Sequence, residues 1–108
     1  MRRKIDRKDE ARADLDRHFV YIALRNPKAA ARFLVAAEKA FRQLLRMPQA
    51  GDLCEFEAEE LAGLRMWPIR GFENYVIFFR LVPNGIDIIR VLHAAQDFPS
   101  IFEPEQGS

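Results

Sequence analysis

The amino-acid sequence predicts an α+β protein in which an N-terminal helical hairpin packs on one face of a small antiparallel β-sheet, in the order β-α-α-β-β-β. Two observations predict this class. Apolar residues recur at helical spacing over residues 9–47, and β-branched and aromatic residues, broken by turn signals, dominate residues 64–93. With 108 residues the chain is long enough for one core. We assign residues 1–97 to a single domain and residues 98–108 to a C-terminal tail.

The helical half begins after a short stretch, residues 2–6, that is compatible with a brief edge strand. A first helix is predicted over Asp9–Leu24, where the apolar positions are Ala11, Leu15, Phe19 and Ile22. Asn26 and Pro27 then supply an N-cap and a first-turn proline for a second helix that reaches Met47. Its inner stripe consists of Ala30, Phe33, Leu34, Ala37, Phe41, Leu44 and Leu45. The short connection between the helices predicts an antiparallel hairpin.

The strand half follows an acidic connector over residues 49–62. Three strands are predicted, over Leu64–Arg70, Asn74–Val82 and Ile86–His93. Gly71 separates the first two, and Pro83-Asn84-Gly85 is typical of a hairpin turn, so the strands should form an antiparallel meander. Pro68 cannot donate to a strand ladder, which predicts an irregularity there. The apolar residues of the tail, which should dock on the domain, are Phe98, Ile101 and Phe102.

The charge distribution separates the two halves, although the net charge is only +1. Residues 1–47 carry 13 basic and 6 acidic side chains, whereas residues 48–64 carry 5 acidic and no basic ones. A basic helical half can attract an acidic protein partner, but the overall charge gives no support to an electrostatic DNA binder. A single cysteine, Cys54, excludes an internal disulfide, and no apolar stretch is long enough to span a bilayer. A cytoplasmic protein without membrane association is therefore expected.

Arginines interrupt the apolar strands at positions 65, 70, 80 and 90, and His93 ends the last strand. Cleavage of RNA through the 2′-hydroxyl needs a cation for the phosphorane together with an acid and a base. The candidate residues for that chemistry are Arg65, Arg80, Arg90 and His93. The alternative is a structural role for the arginines, with carboxylate partners among Glu73, Asp87 and Asp97.

Strand alternation argues against one active centre around Arg90 and His93. Arg90 should share its face with Ile88 and Leu92, and His93 should share the opposite face with Ile89 and Val91. A structural hydrogen bond of His93, with Asp97 as its partner, is therefore favoured over catalysis. No glycine-rich phosphate loop or zinc-peptidase motif is present, and two histidines far apart predict neither a metal site nor a cofactor.

Short motifs along nearly the whole chain resemble the ParE branch of the RelE/ParE toxin superfamily. In the helices these motifs are Asp14-Leu15, Tyr21-Ile22-Ala23, Asn26-Pro27, Ala30 and Phe33. In the strands they are Leu64-Arg65, Pro68-Ile69-Arg70-Gly71-Phe72, the run from Asn74 to Arg80, and Arg90-Val91-Leu92-His93 through Asp97. Their order and spacing together, rather than any one of them, carry the resemblance.

The resemblance implies a toxin that inhibits DNA gyrase by binding and is neutralised by a ParD-like antitoxin, whose acidic C-terminal segment joins it in a hetero-oligomer. The residues expected to bind the antitoxin are Leu15, Phe19, Ile22, Phe33, Phe41 and Arg42. Those expected to bind the target are Arg65, Trp67, Arg70, Arg80, Phe98, Ile101 and Phe102. The alternative is a RelE-like, ribosome-dependent mRNA endonuclease that uses the three arginines and His93 named above. The absence of any lysine after Lys39 argues against it.

Overall fold

A five-stranded sheet with a helical hairpin on one face is the frame of the protein, in a computed structural model that describes residues 3–103. The helices are α1 (Asp9–Ala23), α2 (Pro27–Arg46) and α3 (Phe98–Phe102). The strands are β1 (Lys4–Arg7), β2 (Asp52–Leu53), β3 (Leu64–Ile69), β4 (Phe72–Val82) and β5 (Gly85–His93). The predicted α+β class is confirmed. The predicted edge strand and tail also included residues 2 and 104–108, which lie outside the described residues.

The helical hairpin forms as the sequence predicts. The side chain of Asn26 accepts a hydrogen bond from the amide of Ala29 at 3.1 Å, and Pro27 opens α2. The two helices enclose the larger core together with β3, β4 and β5, and its large, fully buried side chains include Phe33, Phe41 and Phe79. Leu34, which the sequence placed on the inner stripe, is 38% exposed. Ala40 lies in the buried stripe instead.

The sheet is mixed, in the order β1-β5-β4-β3-β2, and not a simple meander. The predicted antiparallel pairing of β3, β4 and β5 is correct, but β1 joins β5 in parallel, with Lys4 beside Gly85 and Arg7 beside Ile88. Parallel neighbours need a long crossover, which the helical hairpin and the strands after it provide. The register of β3 breaks between Pro68 and Ile69, which confirms the irregularity expected at the proline.

The face of the sheet opposite the hairpin is also covered, which the two-layer prediction missed. Its buried cluster is formed by Leu64, Val76, Phe78 and Leu92. The 49–62 connector adds Phe56, and α3 adds Phe98 and Phe102, whose rings lie 4.9 and 4.8 Å from that of Phe78. The described part of the tail, residues 98–103, therefore docks on the sheet through its apolar residues, as predicted.

A β-bulge in β5 overturns the predicted alternation of its side chains. Phe78 pairs with Arg90 and Phe79 with Ile88, so Ile89 has no partner on β4. An extra residue shifts the alternation along the rest of the strand. The side chains of Ile88 and Val91 consequently lie in the hairpin-side core, while Ile89 and Leu92 lie in the opposite cluster. The predicted grouping of Ile88 with Leu92, and of Ile89 with Val91, is wrong.

Candidate functional site

The strand arginines do not converge on one centre. Arg65 donates to the carbonyl of Gly51 at 2.7 Å, and Arg80 donates to the carbonyl of Glu60 at 2.7 Å. Their strand partners show that they lie on opposite faces, because Arg65 pairs with Phe79 of the hairpin-side core and Arg80 pairs with Leu64 of the other cluster. No described carboxylate forms a salt bridge with either one. Two of the four candidate RNase residues therefore each donate a hydrogen bond to a backbone carbonyl.

Arg90 binds Asp14 of α1, a partner that the sequence analysis did not consider. Its Nε lies 2.7 Å from Oδ2 of Asp14 and its Nη2 lies 2.8 Å from Oδ1, the bidentate geometry of a strong ion pair. Oδ1 also accepts from Arg17 at 2.6 Å, and Oδ2 from the backbone amide of Val91 at 2.9 Å. Asp14 is completely buried, so two guanidinium groups and an amide replace its water. The hydrogen bonds to Asp14 raise the pKa of Arg90.

Helix α1 closes the edge of β5 beyond the end of β1. Asp14 accepts from the amide of Val91, and His18, one turn later, lies with Nε2 2.7 Å from the carbonyl of the same residue. Two side chains thus satisfy backbone groups that a neighbouring strand would otherwise bind. The sequence carried a signal for both residues, since Asp14 and His18 lie on the apolar stripe of α1 beside Ala11 and Leu15.

His93 packs on the hairpin side of the sheet, 4.9 Å from the ring of Tyr75. Its Nδ1 accepts from the amide of Ala95 at 3.0 Å, while Asp97 caps α3 by accepting from Ser100. The predicted His93–Asp97 hydrogen bond is therefore wrong, because the helix cap occupies the carboxylate. The likewise predicted partnership of the sheet arginines with Glu73, Asp87 or Asp97 is also wrong.

The two histidines face each other across Tyr75, although 75 positions of sequence separate them. The ring of His18 lies 4.9 Å from the ring of Tyr75, on which His93 also packs. They line a cleft of about 330 Å³, which we call the histidine cleft. Its lining residues are Arg17, His18, Tyr21, Tyr75, His93, Ala95 and Gln96. This constellation was not predicted from the sequence, because only the packing of α1 against β5 brings the histidines together.

His18 makes the stability of the fold depend on pH. Burial lowers the pKa of its imidazole from the ordinary 6.5, although the hydrogen bond to Val91 and the charge of Asp14 oppose this, and Arg17 and His93 lower it further. The unfolded chain therefore takes up the proton first. We expect the full contribution to stability above pH 6.5 and its progressive loss as the pH falls through the lowered pKa. Urea unfolding between pH 7.5 and 5 measures this loss.

The variant His18→Gln should flatten that pH profile, because it removes the group that titrates. His93→Gln is the comparison variant, because it keeps His18 and its hydrogen bond to Val91 and removes only the last of the causes that lower the pKa of His18. The loss of stability on acidification should therefore remain in this variant. An unchanged profile in His18→Gln would contradict the assignment, whatever the absolute stability of the variant.

A second concave surface lies between the outer face of α2 and the end of β3. This α2 groove has a volume of about 750 Å³ and is lined by Ala31, Arg32, Val35, Ala36, Lys39, Ala40, Gln43, Trp67, Arg70 and Phe72. Its lining contains three basic residues and no acidic one, while the groove floor is mainly aliphatic and aromatic. Val35 is 56% exposed, which leaves an apolar surface open to solvent. This combination suits an amphipathic acidic segment.

The residues expected to bind an antitoxin divide between core and surface. Phe33 and Phe41 are fully buried and Leu15 is 8% exposed, so these three side chains build the core and offer a partner no surface in this structure. Ile22 packs against the same core and Phe19 is half-buried, whereas Arg42 is exposed. Burial follows from the hairpin's apolar stripe, which faces the sheet.

The residues expected to bind the target are also dispersed. Trp67 and Arg70 line the α2 groove, whereas Phe98, Ile101 and Phe102 pack on the opposite face of the sheet. Arg65 and Arg80 hold the carbonyls described above. The structure does not bring these seven residues together on one surface.

The two-helix hairpin, the five-stranded sheet and the short docked helix α3 together define a small α+β protein. Among the described residues, no helix is long and apolar enough to cross a membrane. The family model of the ParE toxin of type II toxin–antitoxin systems, parDE, matches residues 5–98. The chain therefore belongs to the ParE toxin family, as its sequence motifs indicated.

The structural comparison agrees with this assignment at the level of the fold. A solved structure of the chromosomal ParDE toxin–antitoxin system from P. aeruginosa matches with a TM-score of 0.68 and 18% sequence identity. The match covers 84% of this chain and 95% of that chain. No curated protein matches the sequence significantly.

Proposed function

We propose that this protein is a toxin that inhibits DNA gyrase by binding it, and that a ParD-like antitoxin neutralises it in a hetero-oligomeric complex. The observation that carries the proposal is membership of the ParE toxin family over residues 5–98. Binding rather than hydrolysis is supported by the positions of the arginines. Arg65 and Arg80 lie on opposite faces of the sheet, and Arg90 is bound to a buried carboxylate. Such positions leave no three-cation cluster for a phosphorane.

The target contact is proposed at α3 and at Arg80, whose strand partner Leu64 belongs to the cluster on which α3 packs. Ile101 is only half-buried, although it packs on the second cluster, so its outer surface remains available to a partner. Together with the half-buried rings of Phe98 and Phe102, Ile101 gives α3 an apolar surface that a partner could cover.

The test is induction of the toxin without its antitoxin, followed by measurement of gyrase supercoiling and of cleavage of translated mRNA. We expect supercoiling to fail while mRNA stays intact. Normal supercoiling with new cuts within codons would replace the gyrase assignment by the RNase alternative.

In an assay with purified toxin and gyrase, we expect the variant Ile101→Asp to lose its inhibition of supercoiling. Continued binding of the antitoxin by this variant would show that it is folded.

The antitoxin is proposed to dock an acidic amphipathic segment in the α2 groove. Its apolar side chains would pack on Val35, Ala36 and Trp67, and its carboxylates would approach Arg32 and Arg70 at the rim. The exposed parts of the hairpin, including Phe19 and Arg42, extend the proposed contact along the helices. The groove residues Ala36, Trp67 and Phe72 pack against the core that contains Phe33 and Phe41.

Reversing the charge at the rim should weaken antitoxin binding. We expect Arg32→Glu with Arg70→Glu to raise the Kd at least about tenfold and to lower the association rate, because like charges would then face the acidic segment. Lys28→Glu is the matched control, since Lys28 is an exposed base of α2 outside the groove. Arg42→Glu shows how far the contact extends. Equal affinities of the double variant and the control, measured with the antitoxin from the adjacent gene, would exclude the groove.

A further inference from the structure

The histidine cleft has no role in the arginine contacts or in the α2 groove, yet it gathers four rings and several hydrogen-bond donors. We propose that it binds a single nucleoside phosphate, with the base stacked on Tyr21 and the phosphate held by Arg17 and His93. The proposal does not depend on which target the toxin inhibits.

Tyr21 provides a ring that is exposed and held in place. It is 51% exposed at the mouth of the cleft, and the guanidinium carbon of Arg25 lies 4.7 Å from its ring centre. Arg25 therefore covers one face of the ring by a cation–π contact, and a base can stack on the other. Stacking on a tyrosine face is tolerant of base identity.

The interior of the cleft presents donors. Because Nδ1 of His93 accepts from the Ala95 amide, the neutral ring carries its proton on Nε2, which has no hydrogen-bond partner within residues 3–103. Burial raises the pKa of Tyr75, so its hydroxyl keeps its proton at neutral pH. That hydroxyl is likewise without a protein partner in the described part of the chain. Both groups can donate to phosphate or sugar oxygens.

Charge in the cleft favours an anion. Arg17 uses one nitrogen on Asp14 and is 61% exposed at its side chain, so the rest of its guanidinium fork is available. None of the seven lining residues is acidic. The nearby carboxylate of Asp14 is bound by Arg17 and Arg90 together, which leaves two cations around one anion.

The volume limits the ligand to one nucleotide. About 330 Å³ is near the lower end of the range for small-molecule sites, so a longer strand would have to continue outside the cleft. A metal ion is the less suitable occupant. Among the residues that the structure describes, no group of three histidine, cysteine or carboxylate side chains is arranged to hold one.

Titration of the purified, full-length toxin tests the proposal. Adenosine and guanosine monophosphates would be compared with the free nucleosides and with inorganic phosphate by calorimetry, while the imidazole resonances are followed by NMR. We expect the monophosphates to bind at least about tenfold more tightly than either part alone and to shift the His93 resonances. A single-stranded trinucleotide distinguishes the source. Tighter binding of the trinucleotide than of the monophosphates would identify the end of a nucleic-acid strand as the ligand. Equal binding would identify a free nucleotide as the ligand.

Three variants at exposed or half-buried positions keep the test independent of folding. Arg17→Gln, Tyr21→Ala and His93→Gln should each weaken monophosphate binding at least about tenfold. Arg32→Gln, an arginine of the α2 groove, is the matched control and should bind as the wild type does. Inorganic phosphate binding as tightly as the monophosphates would overturn the proposal, as would unshifted His93 resonances at millimolar nucleotide.

Discussion

Replacing Asp14 by alanine should remove about 3–5 kcal/mol from the free energy of unfolding, a large part of the total for a domain of this size. The carboxylate is completely buried and receives hydrogen bonds from Arg90, Arg17 and the amide of Val91. Its loss leaves a guanidinium and a backbone donor without their acceptor, at the edge where β1 no longer covers β5. Urea unfolding with a fixed m-value measures the change.

A double-mutant cycle separates the ion pair from the loss of the backbone hydrogen bond. Arg90→Met removes the cation and keeps much of its aliphatic length. We expect Asp14→Ala and Arg90→Met together to be less destabilising than the sum of the single changes, because the double variant leaves no unpaired guanidinium. If the losses in the free energy of unfolding were additive, Arg90 would be stabilised by solvation in water rather than by Asp14. Asp14→Asn, which keeps an acceptor for Val91, should lose less than Asp14→Ala.

The sequence predicted those elements that local patterns determine. The hairpin followed from helical spacing and from the Asn26-Pro27 start of α2, and the three consecutive strands followed from residue type and turn signals. The pairing of β1 with β5 was outside the reach of such patterns. A parallel pair between residues 4–7 and 85–88 is a contact across almost the whole chain, and no local signal specifies it.

The contacts between α1 and β5 were harder to predict than the fold, because one inserted residue in β5 determines the face on which the following side chains lie. Ile89 bulges from β5 without a glycine or proline to mark it, and the resulting shift places Val91 on the hairpin side of the sheet. Regular alternation of side chains therefore predicted the wrong faces for residues of this strand. The polar residues Asp14 and His18 on an apolar stripe were the available clue, since buried polar groups need partners.

The hydrogen-bond partners of the sheet arginines explain how these side chains hold the fold together. Arg65 and Arg80 donate to carbonyls of the 49–62 connector, and Arg90 binds Asp14 of α1. The sheet arginines therefore link the strands to the segments that cover both faces of the sheet. Exposed basic residues lie mainly on the two long helices, and three basic residues, Arg32, Lys39 and Arg70, line the α2 groove. The basic side chains on the surface are therefore mostly different residues from the arginines that hold the sheet.

Replacing Gly85 by alanine should detach β1 from the sheet. Gly85 has φ +149°, and a Cβ atom there would lie 1.8 Å from the carbonyl oxygen of Lys4, which is backbone and cannot rotate away. We expect a loss of about 3 kcal/mol, from backbone strain and from the packing of Ile5 against the core. The bidentate contact of Arg7 with Glu38, at 2.6 Å for Nη2, should be lost as β1 moves.

Gly63→Ala separates strain from collision. Gly63 also has a positive φ, +82°, but a Cβ atom there would meet nothing within 4 Å, so its replacement should cost only about 1–2 kcal/mol. Hydrogen exchange provides the second measurement, since the amides of β1 should lose protection in Gly85→Ala and keep it in Gly63→Ala. Equal losses of stability in the two variants, with β1 still protected in both, would show that the parallel pair tolerates the added methyl group. At this point β1 is held to the sheet by backbone groups alone. That result would therefore mean that the backbone contact between residues 4 and 85 contributes less to the stability of the fold than its close geometry indicates.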